Sequence, residues 1–99
     1  MRVLLIGAGG VGSAVVAIAA RRQSFSGLVV ADANLERAQR AASVASGFAT
    51  AVQVDASDVD ALVALISAHQ IDLVFNAVDP RFVMPIFRAA LEARVHYLD

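Results

Sequence analysis

The chain has no cysteine, no lysine and no tryptophan. Without cysteine, disulfides, thiolate metal sites and a cysteine nucleophile are excluded from these residues. Without lysine, Schiff-base chemistry and a lysine general base are excluded too, and every basic residue is an arginine. The two histidines, His69 and His96, are too few and too far apart to suggest a metal site. Charge is also scarce. Only 17% of residues are charged and the net charge is −1. Such a chain has no field that attracts nucleic acid or anionic lipid, and no basic run or basic–aromatic interleaving points to RNA or DNA. Apolar residues, by contrast, make up 59% of the 99 residues, enough for the core of one domain.

Much of that apolar content lies at the start, in "MRVLLIGAGGVGSAVVAIAARR". Val3 to Ala20 carries no charge and has arginine on both sides. By hydropathy alone this is a signal peptide or a span near the minimum of roughly 17–25 residues. Gly7, Gly9, Gly10 and Gly12 argue against that reading, because each costs a continuous helix about 1 kcal/mol relative to alanine. The stretch reads better as a strand, a tight turn and a helix. No membrane association follows, and a soluble cytoplasmic protein is expected.

Further along, strands and helices alternate. "RVLLI" (2–6) is a short apolar run of the kind buried on both faces of a parallel sheet. "VGSAVVAIAARR" reads as a helix ending near Arg22, and "QSFSG" as a polar connector. "LVVAD" (28–32) is a second strand. "NLERAQRAASVAS" is helical, with Leu35, Ala38, Ala42 and Ala45 on one face, and Gly47 stops it. "ATAVQVD" (49–55) is a third strand. Ser57 as cap and Asp60 as its capping-box partner then open a helix whose apolar stripe is Val59, Leu62, Val63 and Ile66. "IDLVFNAV" (71–78) is a fourth strand. Asp79 and Pro80 resemble an N-cap and first helical position. Pro85 has no N–H to reach Arg81, so the regular helix is expected nearer Met84, after an irregular turn, and runs to about Arg94. "VHYLD" begins a fifth strand. Alternation with short links specifies a parallel sheet with right-handed crossovers.

"GAGGVG" fits G-x-G-x-x-G at Gly7, Gly9 and Gly12. Alone the pattern is weak. Here it follows a strand and opens a helix, and Asp32 closes the next strand twenty positions after Gly12. The chemistry is that of a dinucleotide site. Gly7 permits the turn, Gly9 lets the backbone lie against a pyrophosphate, and Gly12 lets the helix pack on the sheet. Ala8, Gly10 and Val11 complete the loop, whose N–H groups meet the positive end of the helix dipole. No G-K-[ST] follows, so nucleotide hydrolysis is not indicated. Asp32, with Ala33 beside it, suits the ribose hydroxyls of NAD and disfavours the 2′-phosphate of NADP, although Arg37 lies within reach. Its alternative role is a helix N-cap, for which Asn34 is the better candidate. Asp55 and Ala56 fall beside the expected adenine position, with a turn or capping role for Asp55 equally open. Asn76, Ala77 and Val78 fall toward the nicotinamide ribose, where Asn76 either bonds the cofactor or ties down the turn. The architecture is thus a Rossmann-type doubly wound α/β fold, with five parallel strands in the order 3-2-1-4-5 and helices on both faces.

In their order, "VLLIGAGGVGSAVV", "VVADANLERAQRAA", "VDASD" and "VFNAVDPRFVMPIFRAALEARVHYLD" resemble the N-terminal nucleotide-binding domain of the saccharopine dehydrogenase family along the whole chain. The last block is the most diagnostic. The resemblance implies hydride transfer between a nicotinamide cofactor and a C–N bond of an amino-acid-derived substrate, with Gly7, Gly9, Gly12, Asp32 and the Asn76–Pro80 turn at the cofactor. Where most members have glycine after the "AALEA" helix, this chain has Arg94.

The resemblance also implies that residues 1–99 are a cofactor domain whose substrate domain lies C-terminal. No residue here reads as a catalytic acid or base, His96 and Tyr97 included. Cofactor binding without turnover is the expectation, as is self-association through the open fifth strand. The rival from another class is a regulatory module: ligand-gating domains of potassium transport systems are similar up to "VDASD". A scaffold that has lost its cofactor and an FAD-binding domain are further alternatives. A short-chain dehydrogenase is disfavoured, since its Tyr-x-x-x-Lys pair needs a lysine.

Overall fold

A computed structural model describes residues 1–22, 25–45 and 47–99. Gln23 and Ser24 of the expected polar connector and Ser46 of the expected second helix lie outside the described residues, and that helix gives way after Ala42 to a 3₁₀ turn, Ser43–Ala45. The strands are β1 (Arg2–Ile6), β2 (Gly27–Asp32), β3 (Ala49–Gln53), β4 (Leu73–Asn76) and β5 (His96–Leu98). The helices are α1 (Gly10–Arg22), α2 (Leu35–Ala42), α3 (Val59–Ala68) and α4 (Val83–Ala93). Among the described residues, no helix is long and apolar enough to cross a membrane.

All strand pairs are parallel and the order is β3-β2-β1-β4-β5, as the alternation predicts. Central β1 shows why its sequence is apolar throughout. Leu4 and Ile6 face one core with Leu62 and Ile66 of α3 and Ile86 of α4. Val3 and Leu5 face the other, with Val16 and Ala19 of α1 and Ala38 of α2. A strand clad on both faces has no polar face to alternate with. Strands β2 and β3 are added on one side of β1 and β4 and β5 on the other, so the strand order reverses between β1 and β4, whose neighbouring C-terminal ends open the crevice where such sheets bind ligands.

Three local expectations are corrected. Helix α3 is capped by Asp58, whose side chain accepts from the Ala61 N–H at 3.0 Å. Ser57 is drawn away by Asp55, which takes both its N–H (2.9 Å) and its hydroxyl (2.6 Å). On α2 the buried residues are Ala38, Ala41 and Ala42, whereas Leu35, in the first turn beyond the end of the sheet, is 38% exposed. The third and fourth strands are shorter than their apolar runs. Val54 and Ile71 continue the core past the last ladder pairs, so apolarity overstates strand length.

The two prolines behave as expected. Pro80 opens a 3₁₀ turn, Pro80–Phe82, with Asp79 accepting from the Arg81 N–H at 3.0 Å. Helix α4 then starts at Val83, which puts Pro85 in its first turn, where an N–H has no intrahelical partner.

Candidate cofactor site

The site starts where β1 runs out. Gly7 has φ +106°, a conformation that side chains strongly disfavour. Its N–H donates to the Ala31 carbonyl at 2.7 Å, and the Ala77 N–H donates to the Ile6 carbonyl at 2.8 Å. The loop is therefore fastened to β2 on one side and to the turn after β4 on the other. A Cβ on Gly7 would stand 2.6 Å from Cγ1 of Val78 and 2.8 Å from the Ala77 carbonyl oxygen. Gly12, in the first turn of α1, lies against the Gly7 carbonyl so closely that a Cβ there would overlap it.

Gly9 and Gly10 are different, since a Cβ on either would meet nothing within 4 Å. Their faces are open to the crevice mouth. Among the described residues, the N–H groups of Gly9, Gly10, Val11 and Gly12 have no hydrogen-bond partner, whereas the Ser13 N–H is taken by Gly9 at 2.8 Å. This is the donor set of a helix N-terminus facing open space, and it fits a diphosphate.

Asp32 closes β2 and is buried. Oδ2 accepts from the Ala8 N–H at 2.8 Å, and Oδ1 accepts from the Asn34 N–H at 2.8 Å. Oδ1 also takes two bonds from Arg37, at 3.3 Å from Nε and 3.1 Å from Nη2. Burial pushes this carboxyl up. The two backbone donors and the guanidinium outweigh it and hold the group below its ordinary value, so it is an anion at neutral pH. Helix α2 is capped by Asn34, which accepts from the Arg37 N–H at 3.1 Å and leaves Asp32 out of that role.

A cleft of about 320 Å³ joins these parts. Gly7, Gly9, Asp32, Ala33, Asp55, Ala56, Ala77 and Val78 of the expected set line it. Ala8 and Asn76 are buried just behind it, Gly12 packs beneath the loop, and Gly10 and Val11 stand exposed at the rim. Asp55 is exposed, and its two bonds from Ser57, side chain first, hold its carboxyl below the usual range. Asn76 uses its Oδ1 to accept from the Val78 N–H at 3.0 Å. The cleft also includes Ile6, Val54, Arg37, Asp79 and Phe82. Arg37 was visible in the sequence as a cation within reach of Asp32. No sequence signal places Val54 or Phe82 there, because each reads as core or turn.

A glycine turn between a buried strand and a helix, unpaired N–H groups over a crevice, and a carboxylate at the next strand's end define a Rossmann-type dinucleotide-binding domain. More narrowly, the chain belongs to the saccharopine dehydrogenase family: the model for the saccharopine dehydrogenase NADP binding domain matches residues 3–99. The match runs through the block after β4, where the likeness to potassium-transport regulators ends. A carboxynorspermidine synthase from Vibrio alginolyticus is 37% identical over 109 aligned positions, covering 100% of this chain and 26% of its own length. A carboxyaminopropylagmatine dehydrogenase from Synechocystis is 33% identical, covering 99% of this chain and 25% of its own. Among solved structures, apo saccharopine dehydrogenase (L-Glu forming) from Saccharomyces cerevisiae superposes with a TM-score of 0.83 at 25% identity, over 97% of this chain and 20% of that one. The chain thus spans about a quarter of the length of the curated relatives it matches. It is a nucleotide-cofactor-binding domain of the saccharopine dehydrogenase family.

Proposed function

We propose that this domain holds the nicotinamide cofactor of an enzyme that passes a hydride between that cofactor and a C–N bond of an amino-acid-derived amine. The names of the two curated relatives share a carboxylated polyamine, and we take that as the substrate class. The observation that carries the reading is the set of exposed loop residues Gly9, Gly10 and Val11, whose N–H groups have no partner among the described residues, at a cleft that Gly9 lines. The bound cofactor supplies the hydride chemistry. This chain's residues bind and orient it: the loop N–H groups take the diphosphate, and the Asp32–Arg37 pair meets the adenosine ribose. Groups that hold substrate and move its protons belong to a part of the protein outside residues 1–99.

For the ribose end we propose NADP(H). Charge repulsion from Asp32 favours NAD only while that carboxylate is unpaired. Here a half-exposed guanidinium sits 3.1 Å from Oδ1 and lines the cleft, so it offsets the carboxylate and presents donors to a 2′-phosphate. The second reading is NAD(H), favoured by the burial and anionic state of Asp32. There Arg37 swings out and the ribose hydroxyls take its place on Oδ1.

Fluorescence titration of the chain with NADPH and NADH tests both. NADPH should bind saturably and more tightly. Arg37→Ala should weaken NADPH about tenfold, the scale of a lost charge-assisted contact, while changing NADH little. Tighter NADH binding by the unaltered chain would move the assignment to the second reading. Binding of neither would remove both.

A further inference from the structure

On the far side of the cleft from Asp32, the side chains at the ends of β4 and β5 form one continuous chain of hydrogen bonds. Tyr97 donates its hydroxyl proton to Oδ2 of Asp99 at 3.0 Å. Its oxygen accepts from Nδ2 of Asn76 at 2.9 Å. Asn76, buried, accepts from the Val78 N–H through Oδ1 at 3.0 Å. Each donor and acceptor is used in only one sense. The Val78 N–H fixes which end of the amide is oxygen, and the Asp99 carboxylate fixes where the phenol proton points. The Tyr97 ring is held in turn by Phe87 of α4, edge to face, with centroids 5.3 Å apart and planes at 83°.

What this network holds is the wall of the cleft. Ala77 and Val78 line it, and they are the atoms against which Gly7 turns: the Ala77 carbonyl oxygen and Val78 Cγ1 occupy the space a Cβ on Gly7 would need. The turn after β4 thus touches both the cleft and the phosphate loop. In a sheet ordered β3-β2-β1-β4-β5, the adenosine half of a dinucleotide lies over β1, β2 and β3, and the nicotinamide half lies over β4 and β5.

We propose that Tyr97 is a positioning residue for the nicotinamide half of the cofactor: its hydroxyl clamps the Asn76 amide, and through it the Ala77–Val78 backbone against which that half rests. The proposal rests on the dinucleotide reading above. It assigns Tyr97 no contact with the cofactor and no proton transfer. Asn76 serves as the link between two strands that are neighbours in space and 21 residues apart in sequence.

The test compares two ligands on Tyr97→Phe, which removes only the hydroxyl. The dinucleotide NADPH carries the nicotinamide half, and 2′-phospho-ADP-ribose lacks the base. Tyr97→Phe should weaken NADPH about fivefold, the size of one lost hydrogen bond, and leave 2′-phospho-ADP-ribose unchanged. Asn76→Ala and the double variant complete a cycle. If Tyr97 acts through Asn76, the double variant binds NADPH no more weakly than Asn76→Ala alone. Equal weakening of both ligands by Tyr97→Phe would assign Tyr97 to the fold at large and overturn the proposal. Unchanged NADPH binding, or losses that simply add in the double variant, would overturn it as well. If the unaltered chain binds 2′-phospho-ADP-ribose but the nicotinamide adds nothing to affinity, the positioning role falls while the phosphate-loop reading stands. If the unaltered chain binds neither ligand, both fall.

Discussion

The Gly7 carbonyl oxygen occupies the space in which a Cβ on Gly12 would lie. That contact seats the first turn of α1 directly on the end of β1, and it leaves no room for relaxation because both partners are backbone. Gly12→Ala should therefore cost about 3 kcal/mol, the upper end of overpacking, and lower the melting temperature by about 4–8 °C for each kcal/mol lost. Gly9 has open space where Gly12 has none. Gly9→Ala should melt close to the unaltered chain, yet its methyl group points into the region proposed for the diphosphate, so dinucleotide affinity should fall about tenfold or more. Thermal unfolding and fluorescence titration of the two variants give opposite rankings if the loop works this way.

Acid stability reports on Asp32. Its carboxyl sits below the ordinary value of 3.8 in the fold, because the Asn34 and Ala8 N–H groups and Arg37 outweigh the upward push of burial. A carboxyl lowered on folding contributes stability that is present above its unfolded pKa and is lost as the pH falls through the folded one. Melting temperature should thus drop below about pH 4. Asp32→Asn should start lower at neutral pH and lose less over the same acidic interval. A variant with the same acid slope as the unaltered chain would show that Asp32 is not held this way.

Arg94 ends α4 with φ +60° and ψ +45°, the left-handed conformation that glycine adopts without penalty. Its N–H still closes the helix by reaching Leu91 at 3.2 Å. Arg94→Gly keeps that bond and relieves the side chain's clash with its own backbone. It should raise stability by about 1 kcal/mol, an increase of about 4–8 °C in melting temperature. Arg94→Ala keeps a Cβ and should give no such gain.

How far the sequence carries depends on how local the cause is. Strand order and the glycine turn were legible because their signals are short patterns with fixed spacing: Gly7, Gly9 and Gly12 after "RVLLI", then Asp32. The irregular turn before α4 was legible because Pro85 lacks a donor, a covalent fact. The cap of α3 was not, because Asp58 and Ser57 are adjacent and equally suited, and only the pull of Asp55 on Ser57 separates them. Arg37 was seen within reach of Asp32, but its engagement there, which alters the charge argument for the cofactor, depends on how α2 leaves the sheet. The Asn76–Tyr97 bond was out of reach altogether, since it follows from the parallel register of β4 and β5.

Tyr97 is the one tyrosine of a chain without tryptophan, so its phenol can be titrated by near-ultraviolet absorbance without interference from other residues. Burial, more than any other influence, raises its pKa above the ordinary 10.0, and the Asp99 carboxylate adds to the rise both as acceptor and as charge. The Asn76 amide opposes them by donating to the oxygen and stabilising the phenolate. Each neighbour therefore has a sign. Asp99→Asn removes a negative charge and should lower the phenol pKa. Asn76→Ala removes a donor and should raise it. Because Tyr97 donates to Asp99 and accepts from Asn76, the two variants must move the titration in opposite directions. A shift in the same direction for both would mean that the phenol is not held between them, and the clamp on the Ala77–Val78 turn would lose its anchor.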